Sequence, residues 1–166
     1  ALLRSLEAGS DGYPAAGSST ITLNATLLAM MVESCHMSQS EADSMASAGL
    51  SITAVVSVPE DTSVYDRKIV MVLPAEMSGS TQSIYVRYNA SAINILNVEV
   101  GSSNSSRTLV AYDVASQTLK VEYYSGNASA FYYNRLYYDA VADVGKMLGA
   151  VYGGTSNYLY YSLAGK

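Results

Sequence analysis

Residues 130 to 151, AFYYNRLYYDAVADVGKMLGAV, form the longest stretch of this chain with helical periodicity. Tyr133, Leu136, Tyr137, Ala140, Val141, Val144, Met147, Leu148 and Val151 recur three or four apart, which gathers them on one face of a helix. Arg135, Asp139, Asp143 and Lys146 fall on the opposite side, with Arg135 and Asp139 spaced as an i,i+4 pair. Ser129 is placed to cap the start, and Gly153-Gly154 to end it. The spacing predicts one long helix in the last third, against which the rest of the chain packs.

Most of that remainder alternates with a period of two. Ile21, Leu23, Ala25 and Leu27 alternate with Thr22, Asn24 and Thr26, a strand with one buried face, and from Leu28 both faces turn apolar. Residues 50–58, 68–73 and 82–88 read as further strands, and 107–114 with 118–124 as a hairpin. Ile93 and Ile95 are out of phase with Leu96, Val98 and Val100, which predicts a bulge near Leu96. Residues 157–163 make a last strand. Ser38 followed by Glu41 fits a capping box and Gly49 a helix stop, so 39–48 reads as a short helix. No internal repeat is expected. The expected fold is α+β and mostly β, an antiparallel sandwich or jelly-roll-like domain with one long and one short helix. Residues 1–19 read as an N-terminal arm or linker and 20–166 as a single domain.

Charge narrows the function classes. Only 14% of the 166 residues are charged, against about 25% in ordinary soluble domains, while Tyr numbers 15. The net charge is −5 and the nine Lys and Arg are scattered, whereas nucleic acid needs clustered cations. No run approaches the roughly 18 apolar residues of a membrane span. Neither a nucleic-acid partner nor a membrane span is expected. The N-terminal Ala and the single Cys are compatible with secretion after removal of a signal peptide.

Residues that carry chemistry are few. Cys35 and His36 are adjacent, and neighbours on a strand point to opposite faces, so a Cys–His nucleophile pair is not expected. Glu60, Asp61 and Asp66 flank one loop, which reads either as a solvated acidic turn or as a calcium site. Phosphate-cradling glycine loops, the GxSxG elbow and the HExxH zinc motif are missing. The expectation is no enzyme, with no catalytic residue, metal or cofactor.

Two signals remain. Tyrosines crowd the last third, and adjacent pairs such as Tyr137-Tyr138 and Tyr160-Tyr161 cannot both face one core, so some are exposed or covered by a partner. N-x-Ser/Thr sequons occur at Asn24, Asn89, Asn104 and Asn127, the glycosylation candidates. Leu2, Leu3 and Leu6 open a Gly/Ser-rich arm that is either a frayed terminus or a segment that docks on a neighbour. The run AAGSSTITLNAT, followed by a Tyr-rich β domain with sequons, resembles archaeal secreted pilus and thread subunits of the donor-strand type. The resemblance implies an extracellular, cell-surface homopolymer in which an N-terminal segment joins a neighbour's sheet. Leu2, Leu3, Leu6, Ile21, Leu23, Tyr138 and Tyr160 are the interface candidates. A viral jelly-roll coat protein and a secreted glycan-binding module are the alternatives.

Overall fold

Ten strands succeed one another across one sheet in the order in which they occur in the chain. The computed structural model describes residues 15–24, 26, 28, 29, 32, 38–75, 79–153 and 158–165. The strands are β1 (Gly17–Thr22), β2 (Ser51–Ser57), β3 (Arg67–Val72), β4 (Thr81–Tyr88), β5 (Ala92–Val100), β6 (Ser105–Asp113), β7 (Thr118–Gly126), β8 (Phe131–Asp139), β9 (Val144–Tyr152) and β10 (Tyr158–Gly165). Every neighbouring pair is antiparallel. The mostly β, antiparallel character expected from the sequence therefore holds. The layout is a meander within one sheet, not the two packed sheets of a sandwich or the crossed connections of a jelly roll.

The short helix is where the sequence puts it. Helix α1 (Gln39–Ala48) starts at Ser38, whose hydroxyl accepts from the Glu41 amide while the Glu41 carboxylate accepts from the Ser38 amide. It ends at Gly49, which takes a left-handed conformation (φ 63°). β1 begins at Gly17, inside the segment read as a linker.

The long helix does not form. Residues 131–152 make the β8–β9 hairpin, paired from Phe131 with Tyr152 to Asp139 with Val144. Asp139 Oδ1 accepts from the amides of Val141 and Ala142, closing the turn, and Asp143 takes φ 52° to return the chain. Arg135 does not pair with Asp139; its Nε donates to Glu122 Oε1 on β7 at 2.9 Å. Ser129 caps no helix, and its amide donates to Asn127 Oδ1 in the β7–β8 turn. The physical reason is that apolar residues occupy both faces of these strands. Two apolar faces of period two produce three- and four-residue spacings without any helix, and five tyrosines plus Phe131 favour the pleat. The bulge near Leu96 fails for the same reason: β5 pairs without interruption from Ala92 to Val100, with Ile93 and Ile95 on one face and Leu96, Val98 and Val100 on the other.

The meander also has a period that residue identities conceal. β5 through β9 are each 9 residues long and begin at Ala92, Ser105, Thr118, Phe131 and Val144, thirteen residues apart. Four-residue turns fill the intervals. The tetrapeptide Asn-Ala-Ser-Ala builds the turn at Asn89–Ala92 and again at Asn127–Ala130. In both, the Asn amide donates to the last Ala carbonyl and the Asn side chain accepts the third and fourth amides. Asp113 and Asp139 start the β6–β7 and β8–β9 turns, which end at Gln117 and Asp143, both at φ 52°.

The buried core lies at one end of this ribbon. Ile21, Leu23, Leu28, Ala42, Ile52, Ala54, Val56, Ile69, Met71, Leu73 and Ile84 pack together, which places α1 over β1–β4 on one side of the sheet. Beyond Ile84, Gly149 is the only buried residue among those whose side chains are described.

Candidate functional site

Alternation along each strand and the pairing registers sort every side chain of the sheet onto one of two faces. The face that carries Ala54, Val56, Ile69 and Met71 is covered by α1 over β1–β4. Further along the same face, Val86, Ile95, Val110, Val121, Leu136 and Met147 stand opposite one another across six successive strands. A second row on this face holds Tyr88, Ile93, Tyr112, Leu119 and Tyr138. Ile95, Leu136 and Met147 are 38%, 36% and 36% exposed, so the row lies open.

The charges separate between the faces. Within β5–β9, Glu99 is the one charged residue on the helix-side face, and the buried Ser80 hydroxyl donates to it at 2.7 Å. Arg107, Asp113, Lys120, Glu122, Arg135, Asp139 and Lys146 all stand on the far face. There Glu122 bridges Lys120 (3.0 Å) and Arg135 (2.9 Å). Lys120, Arg135, Tyr137, Lys146, Met147 and Leu148 line a shallow depression of about 390 Å³. Tyr124, Phe131 and Tyr152 stack in series on this face, with ring centroids 5.9 and 5.4 Å apart.

The acidic loop holds no convergent set of oxygens. Glu60 pairs with Lys68, and Lys68 lies over the Tyr85 ring. Asp66 is gripped by Arg87, which also donates to the carbonyls of Thr62 and Ser63. Asp61 accepts from the Ser63 hydroxyl and amide, which lowers its pKa below the usual carboxylate value. Each carboxylate thus serves its own turn or cation.

The sequence-derived candidates scatter over this frame. Leu2, Leu3 and Leu6 lie outside the described residues, as do Cys35 and His36, and so does the side chain of Tyr160. Ile21 and Leu23 are 4% and 2% exposed, in the chain's own core. Tyr138 is on the helix-side face, its hydroxyl donating to Asp143 Oδ1 at 2.9 Å, and this bond to a carboxylate raises the phenol's pKa. Asn24 follows β1 and is exposed. Asn89, Asn104 and Asn127 all lie in hairpin turns, Asn89 at one end of the strands and the other two at the opposite end. Asn127 Nδ2 donates to Asn104 Oδ1 at 2.9 Å.

What sequence reading missed is the apolar row. Its signal was present as short alternations, Ile93 with Ile95, Val110 with Tyr112, Leu119 with Val121 and Leu136 with Tyr138, spaced by 17 and 9 residues in turn, 26 residues per pair of strands. Compared with known protein families, with curated proteins and with solved structures, the chain matches none.

Proposed function

We propose that this protein is a structural subunit of an extracellular polymer, a secreted, cell-surface homopolymer whose chains are linked by their N-terminal strand and carry N-glycans on turn sequons. The observation that carries this reading is the position of β1. It is an edge strand, joined to the sheet only through β2, yet Ile21 and the following Leu23 fill the core beside Ile52. Burying two such side chains contributes roughly 1.5–3 kcal/mol each. A sheet without β1 therefore presents an apolar groove along β2, and an identical strand from a neighbour fills it with the same pairings.

Thr20 and Thr53 are direct partners across β1 and β2 and both are exposed. A chain carrying Thr20→Cys and Thr53→Cys, with Cys35→Ser, is oxidised after assembly and run on a denaturing, non-reducing gel. Exchange between neighbours gives a ladder of covalent multimers. A single band of internally closed monomer at every concentration contradicts the proposal.

A further inference from the structure

We infer that the open helix-side face of β5–β9 is an interface with a second copy of this chain, stacked face to face about a two-fold axis. The inference does not require strand exchange, since it concerns a different surface.

Three observations converge on a second copy as the occupant. The first is charge. A self-complementary interface brings each residue near its own counterpart, so a face rich in one charge would repel itself. Among its strand residues this face holds one charged group, Glu99, already bonded to Ser80, with Asp143 of the β8–β9 turn at its margin bonded to Tyr138, while the far face holds the other charged strand residues. The far face carries seven charged strand residues, Glu122 among them bridging Lys120 and Arg135, and the cost of taking them out of water makes it the worse match for its own copy.

The second is area. Nine residues at about 3.4 Å and five strands at about 4.8 Å give a surface of roughly 30 by 24 Å, about 700 Å². That is close to the roughly 800 Å² per partner of a standard stable interface.

The third is shape. Over β1–β4, Leu28 and, from α1, Ala42 pack on this same face, and among the described residues no helix packs on it over β5–β9, so the chain has a step in profile. A helix layer is about 10 Å thick and stacked sheets are about 10 Å apart. A second sheet laid on β5–β9 therefore sits beside the first chain's α1 at the same height, and two stepped copies interlock. The apolar row continues the core through Val86, which already packs against it, so the two cores merge into one. The sandwich that one chain does not form is completed by two. The sequons at Asn89, Asn104 and Asn127 lie in turns beyond the strand ends, clear of the stacked faces.

The test is sedimentation velocity on the full chain carrying Val121→Lys and Leu136→Lys, a directly paired couple at the middle of the row. A control carries Leu109→Lys on the far face. Stacking predicts that the double variant weakens dimerisation at least 100-fold while the control dimerises as the parent does. Circular dichroism checks that both variants keep their strands. If the double variant is misfolded, Tyr112→Glu on the same face takes its place. Unchanged association of a folded face variant overturns the inference. So does a parent in which removing residues 1–14 exposes the face to hydrogen exchange without change in mass, because the arm is then the occupant. The cysteine ladder of Thr20 and Thr53 is read in parallel. A ladder with unaffected dimerisation leaves strand exchange standing and removes stacking, and dimer loss without a ladder does the reverse.

Discussion

Single carboxylates hold several turns of this protein. Asp113 accepts from the Ser116 amide and hydroxyl, both at 2.7 Å, and the amide bond leads in pulling its pKa below the ordinary carboxylate value. Glu41 in the capping box, Glu60 beside Lys68 and Asp61 beneath Ser63 shift in the same direction through hydrogen bonds to their ionised forms. A carboxylate whose folded pKa is depressed stabilises the fold fully above its unfolded pKa, about 3.9 for Asp and 4.3 for Glu, and that contribution is lost as pH falls through the folded value. Thermal stability is therefore expected to stay level from about pH 7 to about pH 5 and to drop below about pH 4. Asp113→Asn keeps an acceptor for the Ser116 amide but removes the titration. Melting followed by circular dichroism between pH 7 and 3 should show a shallower acid loss in that variant than in the parent, and equal losses would contradict the assignment.

The hairpin is the element that organises the chain, and its turns admit little variation. Gly126 adopts φ 141°, and a Cβ there would stand 2.6 Å from the Phe131 Cα. Gly126→Ala is expected to destabilise by about 2 kcal/mol or more, whereas Gly101→Ala, where φ is not positive and the nearest atom would be 3.2 Å away, should cost less. Urea unfolding of the two variants checks the order. The sequence showed some of these elements plainly. Ser38 with Glu41 and Gly49 fixed α1, because capping is a local interaction between neighbouring residues. Asp113 to Thr118 announced a hairpin for the same reason. The β8–β9 hairpin was not legible, because a strand in a single-layer sheet has no face reserved for water. Met147 and Leu148 point to opposite sides of the sheet, yet in sequence they read as one helical stripe. The candidate surface was hidden likewise: Val110, Val121 and Leu136 become a row only once nonlocal pairing sets their register. The tyrosine surplus did indicate apolar area in excess of what one core can cover.

At the scale of the molecule, a covered core at one end and an uncovered sheet at the other make a chain that is structurally unfinished. β1 at one edge and the apolar row on one face are two separate means of finishing it. The first extends the sheet sideways from chain to chain and the second thickens it. On the proposed reading together they describe a ribbon of paired sheets, with the sequon-bearing turns along its margins and the charged face turned outward. Neither means needs an active site, and the carboxylates around Asp61 and Asp66 are occupied in holding their own loop. On this reading the isolated chain is incomplete and associates with itself. Sedimentation velocity of the intact, unsubstituted chain across a hundredfold range of concentration tests it most directly. A self-associating chain gives boundaries that move beyond the dimer as concentration rises, with no upper plateau. A single boundary at the 17.6 kDa monomer throughout the range would contradict it.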